Sequence, residues 1–200
     1  MYSPVKRIRQ PVNWYGFCLH TGGQLGLNNG LPLKSEKEYE KINTSVGGGG
    51  GKLICDLITE ETYLEDVKCN SWEELVDIGG GLLVKQGRVE PRFLQSIKDT
   101  IAEYGSYMVL VDDIAFFHGR PEAGVKDMAM SLVLLRDPVF LGEKRIKAAI
   151  TFAAVDKNSH LQLMRELGGY LQDEEFLSLL RNNGSKAEIM KKLQEGAEMV

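Results

Sequence analysis

Cysteine is scarce in this chain. Only Cys18, Cys55 and Cys69 occur in 200 residues. An odd number without metal-ligand spacing supports neither a disulfide framework nor a zinc site. Reduced thiols and a cytosolic (cytoplasmic) setting are therefore expected. An excess of basic charge is also missing. Lys and Arg total 24 against 28 Asp and Glu, for a net charge of -4. No basic stripe marks a nucleic-acid footprint, so direct nucleic-acid contact is not expected. No apolar run is long enough to span a bilayer, and no signal-peptide pattern is visible, so membrane insertion is not expected either. Walker and Rossmann glycine fingerprints are absent, and no cofactor or metal is expected.

Glycine is not scarce. Gly47 to Gly51 is an uninterrupted run of five. Such a run gains nothing from packing and loses much entropy on ordering, so it behaves as a linker, natural or engineered. It divides the chain into residues 1–46, the linker 47–51 and residues 52–200. The first part is too short for an independent core. It carries the apolar patch Trp14–His20 and a charged stretch, Lys34–Lys41, with Ser35 and Glu38 at capping-box spacing. Cys18 followed by Leu19-His20-Thr21-Gly22 only superficially suits a phosphate loop.

Residues 52–200 have the makings of a complete α/β domain, a mixed β-sheet with helices on both faces. Hydrophobic residues form 43% of the chain, enough for a real core. Leu53 to Ile58 is a short apolar opening. Ser71-Trp72-Glu73-Glu74 has the S-x-x-E pattern of a helix start, with Gly87 as a stop. Pro91 begins a second helix, with Phe93, Leu94, Ile97 and Ile101 at helical spacing and Gly105 as terminator. Tyr107–Val111, Met128–Leu135 and Ile146–Val155 are expected strands, the last central because it is almost wholly apolar. Helices follow over about Ser159 to Leu171, after Asp173, and after Ser185.

The chemistry concentrates in Ile114-Ala115-Phe116-Phe117-His118-Gly119-Arg120-Pro121-Glu122. An apolar run ends in a His and passes at once into a loop. A strand-end imidazole beside a fixed cation suits a nucleophile that accepts an anionic group. Arg120 can neutralise a phosphoryl group through its planar fork, and Glu122 can orient a ring nitrogen or a backbone amide, or stand as a solvated loop carboxylate. His160 stands where the central strand hands over to a helix, whose first turn offers backbone N–H groups. Each His also has a plain structural reading, as a satisfied strand-end or helix-start residue. The alternative to chemistry is a non-catalytic interaction module, with Phe116 and Phe117 as an apolar docking patch.

These residues carry a resemblance. Ser71–Glu74, Gly80–Val84, Tyr104–Tyr107, Ala115–Val125, Met130–Leu132 and Ala153–Leu161 resemble the enzyme IIA domain of the bacterial phosphoenolpyruvate-dependent sugar phosphotransferase system, of mannitol/fructose type and ascorbate-like flavour. The resemblance spans residues 52–196. It implies a phosphoryl carrier in which His118 is the phosphorylated residue, His160 its companion and Arg120 a further holder of phosphoryl oxygens. It implies the histidine-containing phosphocarrier protein as donor and an enzyme IIB domain as acceptor. Phe117 stands where the family usually has Pro, Gly119 where it often has Ala, and Thr100 where mannitol-type members carry Arg. Residues 5–42 loosely resemble the end of a phosphotransferase regulation domain, which implies a sensory role within a sugar-operon regulator.

The division at the glycine run has a direct consequence. A chain beginning at Lys52 should fold alone and keep the melting temperature of the full chain's main transition, read by circular dichroism. Unfolding of the shorter chain would show that residues 1–46 belong to the core.

Overall fold

The computed structural model describes residues 54–197. The expectations for residues 1–46, for the glycine run and for Cys18 and His20 lie outside the described residues. In chain order the elements are helix α1 (Ile54–Leu57), strand β1 (Tyr63–Val67), α2 (Trp72–Lys85), α3 (Arg92–Tyr104), a 3-10 turn at Ser106–Met108, β2 (Asp113–His118), a second such turn at Pro121–Ala123, β3 (Ala129–Leu141), β4 (Lys144–Ala153), α4 (Lys157–Tyr170), α5 (Glu174–Arg181) and α6 (Lys186–Ala197).

Local chemistry starts these helices where the sequence marks them. Ser71 Oγ accepts from Glu74 N at 3.2 Å, while Glu74 reaches one residue further back, to Asn70 N at 2.8 Å. Asp173 Oδ1 accepts from Glu175 N and Phe176 N and opens α5. Ser185 and Glu188 form a reciprocal capping box before α6: Ser185 Oγ accepts from Glu188 N, and Glu188 Oε2 accepts from Ser185 N. Each satisfies backbone donors that a helix start leaves open.

The four strands lie in the order β1-β3-β4-β2. β3 and β4 are antiparallel neighbours at the centre, and β1 and β2 add to them in parallel. Alternation along the strands feeds two cores. Ile114, Phe116, Leu132, Ile150 and Phe152 pack with Leu163, Leu167, Phe176, Leu180 and Ile189, from α4, α5 and α6. Ala115, Phe117, Val133, Leu135 and Ala149 pack with Leu75, Leu83, Phe93 and Ile97, from α2 and α3. The sheet is therefore covered on both faces. That explains why β3 runs seven buried residues from Ala129 to Leu135 without polar alternation.

Three sequence expectations need correction. Tyr107–Val111 is not a strand. Only one segment can occupy the free side of β4, and Ile114–His118 takes it. Met108 and Val109 are apolar because they pack into the α2/α3 core from a turn. β1 went unread because its Glu65 and Asp66 point outward from an edge strand. β3 extends to Leu141, past an irregularity between Leu134 and Val139. Pro138 sits inside that irregularity, where a missing N–H disturbs no ladder bond.

Helix α2 carries three successive glycines, and they are not equivalent. A Cβ at Gly79 would stand 2.6 Å from Thr151 Oγ1 and 3.4 Å from Ser131 Oγ. Ser131 Oγ also donates to Gly79 O at 2.9 Å, so the helix lies directly on the sheet here. A Cβ at Gly81 would meet nothing within 4 Å. Gly79→Ala should therefore cost about 1–3 kcal/mol by overpacking. Gly81→Ala should add roughly 0.5–1 kcal/mol by removing a flexible residue from a helix. Urea midpoints at unchanged slope measure both; equal shifts would contradict this packing.

Candidate functional site

The C-terminal end of β2 delivers His118 to the face of the sheet that α4, α5 and α6 cover. The parity is set by Ile114 and Phe116, which point the same way into that core. His118 is only 6% exposed. Its Nδ1 lies 2.9 Å from the carbonyl oxygen of Phe116. A carbonyl only accepts, so Nδ1 carries the proton and the neutral ring keeps its lone pair on Nε2. Burial lowers the pKa of His118 to about 4; the nearby His160 adds to this, and the bond to Phe116 opposes it. At neutral pH the ring is uncharged and in one tautomer.

Aromatic groups surround that ring. Phe152 of β4 stacks on it, with centroids 4.9 Å apart and planes 22° apart. Tyr107 meets it edge-on at 6.2 Å. His160 lies 5.4 Å away, tilted by 58°. His160 is half-buried near the start of α4, and burial lowers its pKa too. The two imidazoles picked out in the sequence thus share one site.

The start of α4 differs from expectation. Part of its N–H set is satisfied from within the helix. Asp156 Oδ1 accepts from Ser159 N at 2.8 Å, and Ser159 Oγ in turn accepts from Asp156 N at 3.0 Å. The helix caps itself, and these bonds hold the Asp156 carboxyl below the usual carboxylate range.

Arg120 is placed on the rim. Its guanidinium is exposed and pairs with Glu103 Oε2 of α3 at 3.4 Å. Glu122 is exposed, and the ring nitrogen it was expected to orient is held by Phe116 O instead. Phe116 and Phe117 are 1% and 0% exposed, so they form no docking patch. An interaction module would need another surface than these two rings.

The loop after His118 lies directly on α3. Arg120 N donates to Ser96 Oγ at 3.0 Å. A Cβ at Gly119 would stand 2.8 Å from the Phe93 ring and 2.9 Å from Ser96 Oγ. Glycine is needed there for space, and that close approach seats the strand end. Sequence reasoning missed Phe152, Tyr107 and Ser96. Phe152 lies in a nearly all apolar run, where nothing marks it out from its apolar neighbours.

Comparison with known proteins gives this geometry a setting. The family model described as "Phosphoenolpyruvate-dependent sugar phosphotransferase system, EIIA 2" matches residues 56–196. The chain belongs to this family. It is 34% identical over 143 residues to the ascorbate-specific PTS system EIIA component of Escherichia coli strain K12, covering 70% of this chain and 93% of that protein. It is also similar to the solution structure of the mannitol-specific cryptic phosphotransferase enzyme IIA from Escherichia coli. That match has a TM-score of 0.61 and 29% identity and covers 70% of this chain and 95% of the other. A further similar structure is the Escherichia coli complex of enzyme IIA and phosphorylated enzyme IIB for mannitol, with TM-score 0.61 and 27% identity over 70% and 99% of the two chains. In this enzyme IIA domain, Thr100 lies on the packed side of α3. It is buried, and its Oγ1 donates to Ser96 O at 2.7 Å. Among the described residues no helix is long and apolar enough to cross a membrane.

The buried ring makes stability depend on pH. The folded pKa of His118, about 4, lies below the ordinary 6.5. Between those values the unfolded chain binds a proton that the folded one refuses. Stability is therefore full above pH 6.5 and falls as pH drops toward 4, by up to about 1.4 kcal/mol per pH unit from this group. Proton NMR of the His118 ring should show no titration between pH 8 and 5.5. A midpoint near 6.5 would refute the buried neutral ring.

Proposed function

We propose that this domain is a phosphoryl carrier whose acceptor atom is Nε2 of His118. The neutral, single-tautomer imidazole carries this reading: its lone pair is on Nε2, the nitrogen that Phe116 O does not hold. The donor is the phosphohistidine of the histidine-containing phosphocarrier protein. His118 Nε2 attacks phosphorus, and the donor's N–P bond breaks. The electron pair returns to the donor ring, which takes up a proton. The onward acceptor is a Cys thiolate on an enzyme IIB domain, which forms an S–P bond as the His118 N–P bond breaks. The similar mannitol enzyme IIA, solved with a phosphorylated enzyme IIB, supports that partner.

His160 holds a phosphoryl oxygen through a ring N–H. Its distance from His118 suits two imidazoles on one group, and a preorganised donor acts chiefly on the transition state. Arg120 adds positive charge at the rim once it exchanges Glu103 for the phosphoryl group.

Incubation with enzyme I, the phosphocarrier and phosphoenolpyruvate, followed by mass measurement, tests the reading. The chain should gain one phosphoryl mass, and His118→Ala should gain none while keeping its fold. His160→Ala should still label but pass the group on about 10–100-fold more slowly. Arg120→Ala should slow transfer less, because its guanidinium is exposed and already paired. Unchanged labelling of His118→Ala would sink the assignment.

A further inference from the structure

The sequence run Ala148–Ala153 is apolar except for Thr151, yet one residue of it touches the site chemistry. In the parallel pairing of β2 with β4, His118 stands opposite Phe152. In the antiparallel pairing of β3 with β4, Met130 stands opposite the same Phe152. Met130, Phe152 and His118 therefore form one row across three strands on one face. Neighbouring strands lie about 4.8 Å apart. The 4.9 Å separation of the His118 and Phe152 rings is that spacing, so the stack follows from register alone. The only irregularity in the β2–β4 pairing lies between Asp113 and Ile114, at the opposite end of β2. Phe152 also tilts against His160, at 5.6 Å and 41°.

Phe152 cannot yield. It is fully buried, and Met130 closes the side away from His118. An imidazole held at Nδ1 by a single carbonyl can still turn about the bond to Cβ, because such terminal torsions are broad, and each turn weakens the bond that fixes the tautomer. A flat ring stacked on one face removes that motion. A slip of one residue in register would replace Phe152 by Thr151 or Ala153 pointing to the other face.

We propose that Phe152 is a positioning residue: its ring, stacked on His118 and leaning on His160, fixes the direction in which Nε2 is presented and the spacing of the two imidazoles. The proposal rests on the phosphoryl-carrier reading for its effect on rate, and on geometry alone for its effect on the ring. A loss of alignment of this kind costs up to about a hundredfold in rate.

The test uses the full chain with Phe152→Leu, which stays apolar but loses the flat face, and Phe152→Tyr, which keeps it. Nitrogen-15 shifts of the His118 ring report the tautomer without any phosphoryl donor. Single-turnover uptake from the phosphorylated phosphocarrier reports the rate, and the amide spectrum reports the fold. Wild type and Phe152→Tyr should show one tautomer, protonated at Nδ1, and similar rates. Phe152→Leu should keep a native amide spectrum, show a mixture of tautomers and take up phosphate about 10–100-fold more slowly. An unchanged tautomer in Phe152→Leu overturns the proposal, whatever the rate does. So does a wild-type rate in that variant. Absence of uptake by the wild-type chain would instead sink the carrier reading, and the tautomer comparison would still decide what Phe152 does.

Discussion

One hydrogen bond organises this site. The Phe116 carbonyl accepts from Nδ1 of a ring that the core has removed from water. Burial keeps that ring neutral, and the carbonyl decides which nitrogen holds the lone pair. In the proposed carrier role a charged imidazole could not attack phosphorus, and a ring free to exchange tautomers would present the wrong nitrogen part of the time. The same burial opposes folding at acid pH, so the proposed nucleophile is bound up with the domain's stability.

The rest of the fold serves that end of β2. Two central strands, buried on both faces, give a rigid base. On one face α4 brings His160 to the site from a self-capped start. On the other, α3 receives the loop after His118 through Ser96 and the bare backbone of Gly119. Charge is kept at the rim, where Arg120 and Glu103 are both exposed. A dry aromatic interior with charge at its edge suits a group that is taken up and handed on.

Much of this was legible in the sequence, for identifiable reasons. Helix starts at Ser71, Asp173 and Ser185 announce themselves because caps are local chemistry. His118 stands out because it ends an apolar run, where a strand emerges from the core, and His160 because it follows the hand-over from such a run to a helix start. What could not be read depends on pairing across the sheet. β1 has the polar composition of an edge strand, so its parallel partner alone makes it a strand. Tyr107–Val111 has strand-like residues but no vacant partner. Arg120 lies beside His118 in sequence, yet a carboxylate on α3 decides where its guanidinium rests. Phe152 is invisible because register, not residue type, places it under the imidazole.

The most direct measurement is the position of the phosphoryl group itself. After phosphorylation of the full chain through enzyme I and the phosphocarrier, long-range proton–nitrogen NMR of nitrogen-15 histidine identifies the modified atom. The account predicts phosphorus on Nε2 of His118, with Nδ1 still protonated against Phe116. Phosphorus on Nδ1 of His118, or on either nitrogen of His160, would contradict it.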